Sequence, residues 1–352
     1  MALTAPVGVA IIGGGIFVKT QHLPAVLKSD QLSIKAIYSR SLKSAQETAD
    51  LITKDNVKPD LYSSDSDKSY QDLLQREDIS AVIIALPITA QPKFIRDALD
   101  AGKHVLAEKP IAKDVETAKA LIDDYHRISG QNGATFAVAE NFRFYPSFTY
   151  AAEEARKFGK VNHFSVRVMF RVDAETNKYY QTEWRKKPEH QGGFLLDGGV
   201  HYVAGARLLL TGSEANKPDT VQAFSHQVEE HLPPIDSITA IIKTQGGGTG
   251  VFQYSAGTLL SAFEWDFGYE NGTVKVSGET VTVTPRGGEA VFKEFNRTMG
   301  VSEEVAAWAQ SLVDGKPNPL QSPEQALDDL EFLEKIFRSG EQNGSSQKYQ
   351  FV

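Results

Sequence analysis

The stretch VGVAIIGGGIFV, residues 7–18, combines an apolar run, three consecutive glycines and the beginning of a second apolar stretch. The run Val7 to Ile12 is typical of a buried strand, and the segment from Ile16 to Leu27 is typical of a helix. A glycine turn between them lets backbone amides and the helix N-terminus hold a pyrophosphate that side chains would block. The pattern matches only G-x-G, because Val18 replaces a third glycine, and bare glycine turns also occur in folds that bind nothing. The stretch predicts strand, turn and helix, with dinucleotide binding as its functional interpretation.

The alternation of strand and helix continues along the first third of the chain. Ser33 to Tyr38 and His104 to Ala107 are further short apolar runs, and a helix with one apolar stripe is expected after Asp114. The run Ala81 to Leu86 is uninterrupted, which is typical of a parallel strand buried on both faces. This rhythm predicts a doubly wound parallel sheet in an α/β domain over residues 1–135.

The pattern changes in the second half, where strands follow strands. Segments such as Ser237 to Thr244 and Thr273 to Val283 alternate in polarity, as strands with two different faces do. They predict a C-terminal α+β domain over residues 136–340 with a large, mostly antiparallel open sheet. We expect its terminal helix, residues 323–338, to pack back on the first domain. The polar tail 341–352 is expected to fray.

Composition narrows the functional classes. The chain has 352 residues, 41% of them apolar and 23% charged, as in ordinary globular proteins. It contains no cysteine, so disulfides, thiolate nucleophiles and cysteine-ligated metals are excluded. No run is apolar for long enough to cross a membrane and no secretory leader is recognisable, so a cytoplasmic location is expected. The net charge of −8, without a dense basic block, argues against nucleic acid or a membrane as partner and favours a small molecule.

The end of the second strand carries a signal for coenzyme choice. A dinucleotide fold that binds NAD presents Asp or Glu to the adenine ribose there, whereas this chain has Ser39 and Arg40. A hydroxyl and a guanidinium suit a 2′-phosphate, and Lys43 adds charge on the same loop. The residues predict NADP(H), and the alternative is an exposed arginine on a solvated turn.

Glu108, Lys109 and Pro110 end another strand, on the side of the sheet where doubly wound folds bind ligands. Pro110 disfavours helix for the residue before it and stiffens the backbone. A surface lysine before a proline ordinarily has no function. At this strand end, Lys109 can instead direct an ammonium at a reacting oxygen.

Asp197 and His201 are four residues apart in a glycine-rich segment preceded by Trp184 and Arg185. In a helix both side chains face one way, so the carboxylate can orient the imidazole for proton transfer. Metal ligation is disfavoured because no third ligand stands at a recognisable interval, and a structural histidine is the remaining alternative. The other histidines stand in no such pattern: His22, His104, His126, His163, His190, His226 and His231.

Four motifs occur in order: G-x-G at 13–15, E-K-P at 108–110, R-F-x-P at 143–146 and G-G…D-x-x-x-H at 192–201. Together they resemble the glucose–fructose oxidoreductase / inositol dehydrogenase / rhizopine-catabolism (Gfo/Idh/MocA) family over most of the chain. The resemblance implies a Rossmann first domain, with Lys109 as the catalytic lysine and Asp197 and His201 as the acid/base pair. It places Trp184 and Arg185 near the nicotinamide end of the cofactor.

Two positions depart from the family pattern. Where relatives often have Pro-Asn-x-x-His after the fourth strand, this chain has Pro87 and then Gln91, which bears on the cofactor contacts. Where an acidic residue often follows the histidine by three, this chain has Ala204, which bears on a substrate contact.

We therefore expect an NADP(H)-dependent oxidoreductase that transfers a hydride between the nicotinamide and a carbinol or carbonyl carbon of a sugar, polyol or related small molecule. Two alternatives are a nucleotide-retaining relative that performs elimination or glycoside cleavage, and a non-enzymatic NADP(H)-sensing regulatory protein. The expected cofactor-binding residues are Gly13, Gly15, Ile16, Phe17, Ser39, Arg40, Lys43, Leu86, Pro87, Gln91, Glu108, Lys109, Trp184 and Arg185. The expected substrate-binding residues are Lys109, Asn141, Tyr145, Tyr179, Asp197 and His201. No metal is expected.

The second half also predicts an assembly. Its helices are too few to cover both faces of a large sheet, so a second copy of the chain is expected to cover the other. The resemblance agrees, because relatives pair through this sheet. We expect a homodimer or homotetramer.

Overall fold

The computed structural model describes residues 2–54 and 57–351. Its chain divides into two compact units, one formed by Met1–Asn141 with Val301–Leu327 and the other by Phe142–Gly300 with Asp328–Val352. Met1 and Val352, the outer ends of the predicted first domain and tail, lie outside the described residues.

A parallel sheet of six strands forms the centre of the first unit, in the order β3-β2-β1-β4-β5-β6. Its strands are apolar runs with nearly every side chain buried, because helices cover both faces of such a sheet. The strands are β1 Val7–Ile12, β2 Leu32–Ser39, β3 Asp60–Ser63, β4 Ala81–Ile84, β5 His104–Glu108 and β6 Phe136–Ala139. The predicted doubly wound sheet is confirmed, although β4 ends two residues before the predicted Leu86.

Helices connect and cover these strands. After the glycine turn the chain forms a π-helical turn, Val18–His22, that continues into α1, Leu23–Lys28. The helix predicted after Asp114 is confirmed: the Asp114 side chain accepts a hydrogen bond from the Thr117 amide at 2.8 Å. The other helices of this unit are α2 Leu42–Ala49, α3 Tyr70–Leu74, α4 Gln91–Asp100, α5 Val115–Asn132 and α9 Val301–Asp314.

The unit boundary differs from the predicted 135/136. Residues 136–139 are the sixth parallel strand, paired with β5, so the first unit continues to Asn141. The helix α9 also belongs to this unit, because Val305 and Trp308 are buried in the core with residues of β1 and α1. Residues 323–327 of the terminal helix group with the first unit and the rest of that helix with the second.

A sheet of nine strands forms the second unit, in the order β14-β13-β12-β11-β7-β10-β9-β8-β15. All neighbouring pairs are antiparallel except β7 with β10, which confirms the predicted, mostly antiparallel sheet. The strands are β7 Val161–Arg171, β8 Pro218–His226, β9 Ser237–Thr244, β10 Thr249–Ser255, β11 Gly257–Tyr269, β12 Gly272–Ser277, β13 Thr280–Pro285, β14 Val291–Glu294 and β15 Gln347–Lys348.

The two faces of this sheet differ. Helices α6 and α8 pack on one face, where Trp265 is buried and its indole nitrogen donates to the Tyr202 carbonyl at 3.2 Å. On the other face, Phe224 and Ile241 are 68% and 59% exposed. The helices of this unit are α6 Pro146–Ala155, α7 Glu183–Lys186, α8 Phe194–Leu209 and most of α10 Pro323–Glu341.

The tail, expected to fray over 341–352, is instead held by specific contacts. Gln347 and Lys348 pair with β8, and Tyr349 is buried. The buried Glu331 carboxylate accepts hydrogen bonds from the Gln350 and Phe351 amides, both at 2.8 Å. A polar composition does not reveal such contacts, because their partners lie elsewhere in the sequence.

No helix among the described residues combines the length and apolar character that crossing a membrane requires.

Candidate active site

The glycine turn after β1 has the shape that a dinucleotide pyrophosphate requires. Gly13 has a φ of +134°, and a Cβ there would lie 2.3 Å from the Ala85 carbonyl oxygen. A Cβ on Gly14 would lie 2.4 Å from the Ser44 hydroxyl, whereas a Cβ on Gly15 would meet no atom within 4 Å. The open side of the turn is therefore at Gly15, where the helix begins. Backbone and space fit a pyrophosphate at a helix N-terminus.

Ile16 and Phe17, predicted to contact the cofactor, are half-buried in the first helical turn. Val18, in place of a third glycine, is buried against the strand, with its Cγ2 3.5 Å from the Cβ position of Gly13. The substitution therefore affects helix–strand packing and leaves the open side of the turn unchanged.

The end of β2 carries both predicted coenzyme residues. Ser39 is buried, Arg40 is exposed, and Lys43 is 87% exposed on α2. Sequence reasoning missed Asp65, whose carboxylate accepts a hydrogen bond from the Leu42 amide at 2.7 Å. The hydrogen bond from the Ser63 hydroxyl and, to a smaller extent, the one from the Leu42 amide lower the pKa of Asp65, so this carboxylate is charged. A negative charge from the loop after β3 is thus bonded to the backbone of Leu42, two residues after Arg40.

Leu86 and Pro87 follow β4 and are half-buried, and Gln91 opens α4 and is fully buried. The Gln91 amide nitrogen donates to the Glu108 carbonyl at 2.9 Å and to the Pro110 carbonyl at 3.4 Å. Its side-chain oxygen is buried and, within residues 2–54 and 57–351, has no hydrogen-bond partner. Gln91 therefore holds the backbone on both sides of Lys109.

The lysine motif stands at the end of β5, where Glu108 is the last strand residue and Lys109 is half-buried. The Lys109–Pro110 peptide bond is cis. His22, which no sequence pattern singled out, places its Nε2 2.7 Å from the Glu108 carboxylate and is fully buried. The glycine-turn helix is thereby bonded to the residue preceding Lys109.

In the second unit, Asp197 lies in the first turn of α8 and His201 one turn later. The Arg185 Nε donates to the Asp197 carboxylate at 2.7 Å. The guanidinium also lies over the rings of Trp184 and Tyr179, at 4.0 and 5.6 Å from their centroids. Four of the predicted residues, Tyr179, Trp184, Arg185 and Asp197, are thus in contact through one arginine.

His201 stacks on Phe142, with ring centroids 5.1 Å apart and an interplanar angle of 17°. Tyr145 stacks on Phe142 as well, at 4.6 Å and 26°. Phe142 therefore sets the plane of the predicted acid/base imidazole and was missed by sequence reasoning, although it adjoins the R-F-x-P motif. Asn141, another predicted substrate residue, is buried in the first unit. Ala204 is fully buried, so an acidic residue there would be placed in the core of the helix face.

A buried ion network joins Arg207 of α8 to two aspartates of α10. Arg207 donates to Asp328 at 2.6 Å and to Asp329 at 2.7 Å, and Asp329 also pairs with Arg143. Burial raises the pKa of Asp328 to about 6. The positive charge of Arg207 lowers this pKa but does not outweigh burial, because Arg207 is shared with Asp329. This network connects the R-F-x-P motif, the helix of His201 and α10.

No group of three or more His, Asp or Glu side chains with metal-binding geometry occurs in the part of the chain that is described.

Family comparison covers most of the chain. Residues 7–130 match the model of the oxidoreductase family with NAD-binding Rossmann fold, and residues 151–283 match the GFO/IDH/MocA C-terminal domain.

Individual relatives agree with the family match. The dehydrogenase FPY6 of Fusarium mangiferae is 40% identical over 98% of this chain and 99% of its own length. D-xylose 1-dehydrogenase (NADP(+)) 2 of Haloferax volcanii is 24% identical over 90% of this chain and 96% of its own. The crystal structure of an oxidoreductase from Thermotoga maritima superimposes with a TM-score of 0.83 at 31% identity, covering 97% of this chain and 98% of that one. The chain belongs to the Gfo/Idh/MocA family of oxidoreductases.

Proposed function

We propose that the protein is an NADP(H)-dependent oxidoreductase acting on a carbinol or carbonyl carbon of a sugar, polyol or related small molecule. The observation that carries the proposal is the polar arrangement on α8, where Arg185 holds the Asp197 carboxylate one turn before His201. A packing role alone does not call for an arginine, a carboxylate and an imidazole at one helix start. The Haloferax volcanii relative, a D-xylose dehydrogenase by name, supports a sugar-like substrate.

The first unit would hold the dinucleotide. The turn of glycines 13–15 and the helix that follows would bind the pyrophosphate, and Ser39 and Arg40 would bind the adenosine end. When bound, the nicotinamide takes up or supplies the hydride. Gln91 and Glu108 would fix the backbone at Lys109 through their hydrogen bond.

The proton chemistry is assigned to His201. In the oxidation direction its imidazole takes the substrate hydroxyl proton, and in reduction it returns one to the carbonyl oxygen. Asp197 would orient the ring from one helical turn away, and Phe142 keeps the ring plane fixed. Lys109 would place an ammonium beside the oxygen that becomes negative.

Arg185 has a role in this scheme that differs from direct cofactor contact. Its Nε–H donates to the Asp197 carboxylate and fixes its position, and Trp184 and Tyr179 fix the guanidinium plane. We therefore assign Arg185 to orienting the acid/base pair.

A panel of sugars, polyols and carbonyl compounds tests the proposal by following NADPH consumption and NADP⁺ reduction. Turnover of at least one sugar or polyol, lost in His201→Asn, is the expected result. Consumption of a glycoside without a net change in NADPH absorbance would support nucleotide-retaining elimination instead. NADPH binding with no turnover of any panel member would favour a sensing role.

A further inference from the structure

We propose that His22 is a positioning residue for Lys109, acting through Glu108. The inference rests on the proposed function, because it assumes that Lys109 takes part in the reaction. It adds a residue outside the four sequence motifs and a physical connection between the nucleotide-binding turn and the lysine.

The geometry of His22 is unusual for a packing residue. The imidazole is fully buried in the π-helical turn Val18–His22 and contacts the edge of Phe17, with ring centroids 5.4 Å apart. Its Nε2 lies 2.7 Å from the Glu108 carboxylate. Its Nδ1 is also buried, and no hydrogen-bond partner for that atom occurs in residues 2–54 and 57–351.

Stability does not explain this pair. A buried polar pair is often no more stabilising than apolar side chains of similar volume, and an unpaired buried nitrogen costs free energy. A leucine at position 22 would avoid the unpaired nitrogen, but it would leave the Glu108 carboxylate without its imidazole partner. We infer that the imidazole is kept because it fixes the Glu108 carboxylate at the end of β5.

Lys109 is held from the other side as well. Gln91 donates to the carbonyls of Glu108 and Pro110, the residues on either side of the lysine. Together with His22, which holds the Glu108 side chain, Gln91 restrains the backbone around Lys109. Since misplacement of a reacting group by about 1 Å can cost about 100-fold in rate, this restraint is a functional requirement.

The His22–Glu108 pair connects two parts of the first unit. His22 lies on the helix whose N-terminus would hold the pyrophosphate, and Glu108 lies beside the lysine. The hydrogen bond between His22 and Glu108 therefore joins the glycine-turn helix to the segment of Lys109.

The test compares His22→Leu with a matched control, His104→Leu. His104 is a buried histidine at the opposite end of β5, four residues before Glu108, and it is bonded to Thr135 at 2.8 Å. We expect His22→Leu to lower kcat about 10- to 100-fold, with KM and NADPH affinity changed less than about twofold. The His104→Leu variant should keep its kcat.

A conservative pair of variants separates positioning from folding. In His22→Gln the amide nitrogen reaches the place of Nε2, whereas in His22→Asn it does not. We expect the glutamine variant to keep most of kcat and the asparagine variant to lose it. This comparison also serves if the leucine variant does not fold.

A second readout does not depend on turnover. In the protein without substrate or nucleotide, we expect an amine-reactive reagent to label Lys109 at least about threefold faster in His22→Asn than in the wild type, because the segment opens more often. Labelling of the exposed Lys43, measured in the same digest by mass spectrometry, should be unchanged. If no substrate is turned over, the proposed function fails while the labelling still decides this inference. Equal Lys109 labelling in both proteins, or a kcat within twofold of the wild type in His22→Asn, would overturn it.

Discussion

Arg40 follows β2, and the Asp65 carboxylate, from the loop after β3, is bonded to the amide of Leu42. The balance of these opposite charges sets the coenzyme preference we predict. The 2′-phosphate is the only group that distinguishes NADP from NAD, so Arg40→Ala should weaken NADPH binding about tenfold and leave NADH nearly unchanged. The wild type should prefer NADP(H) by roughly 30- to 150-fold at low salt. Titration calorimetry with both coenzymes measures this.

Asp65→Asn is the counterpart of Arg40→Ala, because it removes the negative charge bonded to the Leu42 amide. Asparagine keeps a side-chain oxygen for the Leu42 amide but removes the negative charge, so NADPH should bind about two- to threefold more tightly. Equal affinities of the wild type for NADPH and NADH would show that Ser39 and Arg40 form a solvated turn that does not recognise the 2′-phosphate.

The acid/base residues give a second prediction at this scale. His201→Ala and Lys109→Ala should each lower turnover by about 10²–10⁴-fold, while cofactor affinity stays mostly intact. Asp197→Ala should cost less than His201→Ala, because Asp197 orients the ring and does not transfer the proton. Steady-state kinetics under conditions where chemistry is rate-limiting provides the measurement. A His201→Ala variant retaining more than about a third of wild-type turnover would contradict the proton assignment.

Single residues differ in how far the sequence reveals them. The placement of Asp197 and His201 one turn apart on a helix could be predicted from their spacing, and the turn from glycines at positions 13 and 14, where a side chain would clash. Phe142, Asp65 and His22 could not, because their partners His201, Leu42 and Glu108 are distant in the sequence. Among eight histidines, only the fold distinguishes the one that contacts Glu108.

At the scale of elements, the ion network that joins α8 to α10 predicts a pH effect on stability. Burial raises the pKa of Asp328 from an ordinary value of 3.8 to about 6, so the folded protein retains a proton that the unfolded chain has lost between these values. Stability from this group is therefore present at low pH and declines as pH rises from about 4 to 6, by on the order of 3 kcal/mol.

Urea unfolding of the wild type and Asp328→Asn at several pH values measures this contribution. The difference in midpoint between the two should shift in favour of the variant as pH rises through that window. A difference that stays constant from pH 4 to pH 7 would show that Arg207 keeps Asp328 charged throughout.

Most helices and strands could be predicted from the hydrophobic pattern of the sequence, and the exceptions have physical causes. The run ending at Leu86 continues two residues beyond β4 because apolar residues also line the loop after a buried strand. The π-helical turn at Val18–His22 has no pattern of its own, since its apolar spacing resembles that of an α-helix. The short strand at 347–348 depends on β8 as its partner.

For the whole molecule, the uncovered face of the nine-stranded sheet leads to our prediction of a homo-oligomer. Phe224 and Ile241 are large apolar side chains on that face, and such residues favour burial against a second copy. Light scattering at micromolar concentration should give a mass of at least twice the 38.6 kDa of the chain. A monomeric mass would rule the assembly out.

A surface variant locates the interface. Ile241→Glu should lower the assembly state, because it replaces a large apolar side chain on the exposed face with a charge. Leu51→Glu is the matched control, since Leu51 is 50% exposed and belongs to the first unit. Loss of assembly in both variants, or in neither, would contradict a sheet interface.

Domain organisation was predictable as two domains but not in its boundaries. A single pass along the sequence treats each domain as one continuous segment, whereas α9 returns to the first unit after the whole nine-stranded sheet except its last strand. Only the burial of Val305 and Trp308 beside residues of the first parallel strand reveals the return.

The return of α9 has a consequence for synthesis of the chain on the ribosome. When residue 141 has been added, the face later covered by Trp308 and its neighbours is still open, and it stays open until residue 301 and beyond emerge. At about 5–20 residues per second, those 160 residues take roughly 8 to 30 s. During that interval the nascent nucleotide-binding unit presents an apolar surface, which is the kind of surface that chaperones bind. The first unit therefore reaches its final core late in translation, although most of its sequence is made first.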